Sequence, residues 1–284
     1  MAARPKTLPA AAAPVVVGTA LAVWDGLFRP LPATAALLGA LLLQVGSNLA
    51  NDVFDYQRGA DAGERLGPQR VTQSGLLSPA EVRTGMWLTF AAATLCGAYL
   101  AWTAGPMVLA MGAAAILAAL GYSGGPLPFG YHGLGDLFVF LFFGVIAVSG
   151  TYYVQAGRIT ITALAASVPM GLLIDNILVI NNLRDISLDR TAGKKTLAVL
   201  IGARATRVQY NINLVLSYLV PLVLWWADLG PAGANLALLS LPLGIRLSRD
   251  LHHKEGRALN ETLAGSGQMA LLYAALFAAG GSIV

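Results

Sequence analysis

The chain is poor in charge and almost empty of cysteine. Only 11% of its 284 residues are Asp, Glu, Lys or Arg, where a soluble domain carries roughly 25%. A water-soluble fold of this length could not cover its apolar surface with so few charges, which argues against that class. The single Cys96 excludes a disulfide within the chain and, set in an apolar run, reads as a small buried residue. With so little cysteine, the stretch around His252, His253 and Lys254 lacks the close Cys or His companions of a soft-metal site and reads as a solvated loop.

What the chain has instead is long apolar runs. Hydrophobic residues make up 56% of it, and a hydrocarbon core takes about 20 such residues per helix. Nine apolar segments can be drawn, at 8–24, 33–50, 85–103, 106–122, 135–155, 160–181, 208–227, 232–247 and 266–283. Pro14, Pro169, Pro221 and Pro242 fall inside them, which membrane helices tolerate because neighbours re-satisfy the backbone. The expected fold is all-α: a polytopic bundle of nine transmembrane helices. Arg4 and Lys6 before the first run give it the look of a signal peptide. Pro9 and Pro14 interrupt that run and no cleavage site follows it, so it reads as a retained first helix.

Charge sets the expected orientation. With the N-terminus inside, the inner segments 1–7, 51–84, 123–134, 182–207 and 248–265, plus Arg246, hold 16 of the 18 Lys and Arg residues; only Arg29 and Arg158 fall outside. The positive-inside rule then predicts a multi-pass protein of the cell (inner) membrane, N-terminus cytoplasmic and C-terminus outside. The same rule accounts for the sequence pI of about 9.3, so no nucleic-acid partner is expected. The chain also looks doubled, about 1–134 and 135–284 within one domain. The second and sixth runs both head inward, end in Asn and Asp, and pass into basic loops. Two such ends can face each other across a central cavity open to the cytoplasmic side.

Those ends carry the chemistry. Asn48, Asp52 and Asp55 recur at i, i+4, i+7, and Asn181, Asp185 and Asp189 at i, i+4, i+8, so each set shares one helix face. With Asn51 they offer hard oxygen donors, which suit Mg²⁺ bridged to the phosphate oxygens of a substrate. The chemistry expected is departure of a diphosphate: Asp52, Asp55, Asp185 and Asp189 hold the metal, and Arg58, Arg190, Lys194 and Lys195, with Tyr122, meet the diphosphate. An allylic cation left behind needs a dry pocket with soft walls. The loop 122–136 is rich in Gly, Pro and aromatics, and its Tyr131 and His132, with Asn48 and Asn182, are candidates for the acceptor. Any one of these loop cations could instead serve only topology, and Asp61, Glu64 and Glu81 read equally well as solvated residues.

Asp175 lies inside the sixth run. An ionisable group at that depth faces a cavity or a partner. It could orient a substrate hydroxyl or accept its proton, which makes it a catalytic candidate, or it could be neutral and hydrogen-bonded to a neighbouring helix. A cation transporter would also use intramembrane carboxylates, but it would spread them through the membrane depth, whereas these gather at one side.

These motifs resemble the UbiA superfamily of intramembrane prenyltransferases, and within it the branch that serves menaquinone synthesis. The resemblance spans nearly the whole chain. It rests on Arg4-Pro5-Lys6-Thr7-Leu8-Pro9, Asn51-Asp52 through Asp61, Gln73-Ser74-Gly75-Leu76-Leu77 and the 124–135 loop. It rests above all on Asn181-Asn182-Leu183-Arg184-Asp185, then Asp189, then Gly193-Lys194-Lys195-Thr196. The resemblance implies Mg²⁺ as cofactor, held with diphosphate by Asp52, Asp55, Asp185 and Asp189 and supported by Asn51 and Asn181. It implies a polyprenyl diphosphate and 1,4-dihydroxy-2-naphthoate as substrates in a lipid bilayer, with 4-hydroxybenzoate or homogentisate as alternative acceptors. The superfamily often has a third Asp four residues after the second; here that place is Gly59 and the next carboxylate is Asp61. Asp175 matches no family motif.

Overall fold

The computed structural model describes residues 3–59 and 65–281; Asp61 and Glu64 lie outside them, and no strand occurs among the described residues. Eleven α-helices follow one another: α1 Leu8–Trp24, α2 Pro30–Gln57, α3 Pro79–Ala104, α4 Met107–Ser123, α5 Gly135–Val139, α6 Ala147–Ala156, α7 Ile161–Arg184, α8 Ile186–Thr191, α9 Leu197–Trp226, α10 Leu241–His253 and α11 Leu259–Gly281. A π-helical stretch, Phe140–Ile146, joins α5 to α6 in one rod.

Over their described residues, each of the nine apolar segments falls on a helical rod, and seven of these rods are long and apolar enough to cross a membrane. The other two are α4, with 17 residues, and α10 with the 3-10 stretch Ala232–Ser240 that leads into it. The bundle is therefore a polytopic helical membrane fold, with seven crossings supported by length and composition.

Local chemistry starts and bends the helices. Ser78 caps α3 in a reciprocal box with Glu81, with Pro79 at the first helical position. Thr160 caps α7 through the Ala163 N–H, and Thr196 caps α9 through the Val199 N–H. α9 breaks at Gly202, where φ is 82° and ψ 164°, a backbone that favours glycine.

The core is centred on α7. Of its apolar window 67% is buried, against 22% for α3, so α7 is the central post and α3 part of the rim. Met170, Leu173 and Ile180 of α7 pack with Val17 and Leu21 of α1, Tyr210 of α9 and Phe277 of α11. The π-helical stretch approaches α7 closely: a Cβ on Gly144 would stand 2.7 Å from the Gly171 Cα. Small residues at such crossings let membrane helices gain packing contacts that lipid cannot offer. A second cluster, Leu49, Val53, Val82, Met86 and Phe90, fastens α2 to α3. Leu88, Leu95, Trp102, Leu117 and Trp226 are well exposed, as side chains facing lipid are. In this frame the ends of α2 and α7 open into the same cavity.

Candidate active site

A cavity of about 440 Å³ lies between those ends. The last turns of α2 line it with Asn48, Asn51 and Asp55, and the end of α7 with α8 lines it with Asn181, Asn182, Asp185 and Asp189. Tyr122, Tyr131 and Lys194 complete the predicted residues on its wall. Two acidic sets about 130 residues apart in sequence thus share one space, but the second is not the single helix face expected: α7 ends at Arg184, Asp185 caps it with a non-helical backbone, and Asp189 stands on the separate α8.

Asp55 is the centre of the first face. Its Oδ1 accepts from the Tyr131 hydroxyl at 2.7 Å, and its Oδ2 faces Arg70 at 2.5 Å and Lys194 at 3.6 Å. Lys194 also stands over the Tyr131 ring, 4.6 Å from its centroid. Burial and the Asp55 carboxylate push the Tyr131 hydroxyl well above its ordinary value, so it stays a donor. Asn51 is held by the Ser123 hydroxyl, which donates to its Oδ1 at 2.9 Å.

The second face is built by Arg184. Its Nε donates to Asp185 Oδ1 at 2.8 Å and its Nη2 to Asn181 Oδ1 at 2.8 Å. Its Nη1 donates to Asn260 Oδ1 at 2.7 Å. Asn260 in turn donates to the Leu66 carbonyl at 2.7 Å, so one guanidinium joins α7, α11 and the loop after α2. Burial pushes Asp189 up to about 6; Lys194 opposes that rise, and the charges of Asp185 and Asp55 add to it. Lys194 therefore feels both faces.

Other expected residues stand apart from the cavity. Asp52 is 2% exposed and spends its carboxylate on backbone: it accepts from the Thr72 N–H at 3.1 Å and the Val71 N–H at 3.2 Å. Arg58 turns to the 123–125 loop, donating to the Ser123 carbonyl at 2.9 Å and to the Gly125 carbonyl. His132 is exposed, with Nδ1 2.8 Å from the Pro128 carbonyl. Arg190 and Lys195 are exposed. Asp175 is buried away from the cavity, accepting from Asn213 Nδ2 at 2.9 Å and Gln209 Nε2 at 3.4 Å. The Gln209 amide also reaches Asp136 at 2.8 Å.

The wall contains residues that sequence patterning passed over. Arg4, Thr7, Gln44, Arg65 and Arg70 all line it. A faint signal existed: Arg4 and Thr7 sit in the amino-terminal motif, and Arg184 sits inside Asn181–Asp185 itself. Nothing in the spacing of Arg70 said that its loop folds back beneath α2.

The donors on the wall, Asn51, Asp55, Asn181, Asp185 and Asp189, are all oxygens. Among the described residues no three carboxylate, His or Cys groups converge tightly enough to hold a metal alone. Oxygen donors of this kind suit Mg²⁺, which keeps several waters and takes one or two carboxylates plus substrate phosphates.

Residues 11–280 match the UbiA prenyltransferase family. The chain belongs to that family. It is 41% identical over 283 residues to a 1,4-dihydroxy-2-naphthoate octaprenyltransferase of Mycobacterium tuberculosis, covering 98% of this chain and 94% of the relative. It is also 41% identical over 253 residues to the Escherichia coli protein of the same name, covering 87% and 82%. A UbiA homolog from Aeropyrum pernix K1 has the same fold, with a TM-score of 0.74 at 17% identity over 96% of this chain and 97% of that one. A UbiA homolog from Archaeoglobus fulgidus bound to DMAPP and Mg²⁺ gives a TM-score of 0.63 at 16% identity, covering 98% and 99%. The family accounts for the two-faced UbiA cavity without the transporter alternative.

Proposed function

We propose that this UbiA protein transfers a polyprenyl group from polyprenyl diphosphate to 1,4-dihydroxy-2-naphthoate. The prenyl group takes the place of the ring carboxylate, which leaves as carbon dioxide, diphosphate is released, and the quinol form of demethylmenaquinone results, a step of menaquinone biosynthesis. The observation that carries this is one cavity lined by both acidic faces in a chain 41% identical over nearly its full length to a naphthoate prenyltransferase.

Asp55, Asp185 and Asp189, with Asn51 and Asn181, would hold Mg²⁺. When bound, the ion neutralises the charge that grows on the departing diphosphate. Lys194 and Arg70 meet the same diphosphate, Tyr131 lends its hydroxyl, and Tyr122 walls the pocket. Asp52 serves by fixing the loop that carries Arg70. Exposed Arg190 and Lys195 can guide the anion toward the mouth. Apolar Val139, Phe143, Ile174 and Leu178 on the wall keep water from the allylic cation. The prenyl tail stays in lipid, where each buried CH₂ contributes about 0.8 kcal/mol. The charge asymmetry supports a cytoplasmic mouth and a cytoplasmic N-terminus, and the two matched runs that end in Asn and Asp support one domain built by internal doubling.

The test is turnover by the purified protein with polyprenyl diphosphate, Mg²⁺ and each of 1,4-dihydroxy-2-naphthoate, 4-hydroxybenzoate and homogentisate. Product is expected from the naphthoate, lost on chelation and restored by Mg²⁺. Product from a benzoate alone overturns the acceptor, and product under full chelation overturns the metal.

A further inference from the structure

Arg4 has a left-handed backbone, φ 47° and ψ 70°, and among the described residues only Asp228 joins it as a non-glycine residue of positive φ. Such a conformation costs energy and persists where its surroundings hold it. Here α2 supplies the hold. Asn48 Nδ2 donates to the Ala3 carbonyl at 3.1 Å and to Thr7 Oγ1 at 3.0 Å, and Gln44 Nε2 reaches Thr7 Oγ1 at 3.3 Å. Thr7 then donates its hydroxyl and its N–H to the Arg4 carbonyl, both at 2.9 Å. Asn48, expected at the acceptor, is a positioning residue for the chain ahead of α1.

The result is a guanidinium on the cavity wall whose Nη2 is buried with no hydrogen-bond partner. Burial, then the nearby Arg70 and Arg65 guanidinia, lower its pKa to about 10, with Asp52 and Asp55 pulling the other way. Arg4 is therefore charged at neutral pH. A buried cationic donor without an acceptor is costly until an anion arrives, and a guanidinium matches a carboxylate in two parallel hydrogen bonds.

The proposed reaction brings two anions into this cavity, a diphosphate and a ring carboxylate. The acidic faces hold their own cations, Arg70 and Lys194 beside Asp55 and Arg184 beside Asp185, and the diphosphate is proposed to bind there. The backbone that carries Arg4 is anchored at Asn48, two turns before Asp55 on α2 and about 10 Å from it along the axis. We propose that Arg4 binds the carboxylate of the aromatic acid acceptor. This rests on the prenyl-transfer function proposed above.

The test compares 1-hydroxy-2-naphthoate with 1-naphthol, the same ring without its carboxylate, as competitors of the acceptor in turnover by the intact protein. Wild type favours the acid. Arg4→Gln is expected to lose that preference and to raise the acceptor KM by about tenfold or more, with the prenyl diphosphate KM moving less than about twofold. Arg4→Lys, which keeps the charge and the anchored backbone but loses the fork, is expected to fall between; it also serves if Arg4→Gln does not fold. An unchanged preference in either variant, or a prenyl diphosphate KM that rises as much as the acceptor KM, overturns the assignment. Should wild-type protein itself ignore the acid, the aromatic-acid function fails, which is a separate result.

Discussion

Arg70 and Asp55 meet at 2.5 Å in the cavity wall, with both side chains shielded from solvent. Asp55 closes the last turn of α2, and Arg70 comes from the loop beyond it, which folds back under the helix. Removing either side chain breaks a buried ion pair, at a cost of about 3 kcal/mol or more. Asp55→Asn is expected to cut turnover at least about a hundredfold and to lower the melting temperature. In Asp55→Asn/Arg70→Met the melting temperature should recover while turnover does not. Recovery of both would show that Asp55 serves stability alone.

Asp185 keeps partial solvent access in a fork with Arg184. Asp185→Ala should abolish detectable turnover while far-UV circular dichroism and detergent-phase elution stay as in wild type. Turnover above about a tenth of wild type would count heavily against its place at the metal.

Asp52 predicts a different phenotype from Asp55. Its carboxylate accepts the Val71 and Thr72 N–H groups, and charged acceptors on backbone contribute roughly 1.5–3 kcal/mol. Asp52→Asn should therefore speed limited proteolysis in the 58–76 region as well as slow the enzyme. A slowed enzyme with wild-type proteolysis would return Asp52 to the metal instead.

Asn260 links Arg184 to the Leu66 carbonyl. Asn260→Ala is expected to raise the KM for polyprenyl diphosphate several-fold by loosening the loop at the mouth, with a smaller change in kcat. A kcat that drops while KM holds would place its effect on the chemical step.

Asp175 is expected to tolerate its isostere. It lies behind the wall, with Asn213 and Gln209 as partners, so Asp175→Asn should keep turnover within about threefold, whereas Asp175→Leu leaves those amides unpaired and should destabilise the bundle by about 1–3 kcal/mol. Loss of acceptor turnover in the folded Asn variant would restore a direct role for Asp175.

The sequence by itself determined the solvent, the helices and the two acidic faces. Long runs with little charge admit lipid-spanning helices and exclude a water-facing surface, and i, i+4 spacing puts Asp52 with Asn48, or Asp185 with Asn181, on one side of a rod whatever surrounds it. Tertiary structure alone decided which oxygen each donor meets. Asp52 and Asp55 share a face, yet one is taken by loop backbone and the other opens to the cavity, because the 65–72 loop returns beneath α2. Arg4, Arg70 and Asn260 join the site from distant stretches of chain, and no local period encodes a contact made by a chain that folds back. Charge likewise drew Arg190 and Lys195 into the expected site, and the aromatic loop drew in His132. Their exposure is settled by how α8 and the 123–134 loop pack, a property of the assembled bundle.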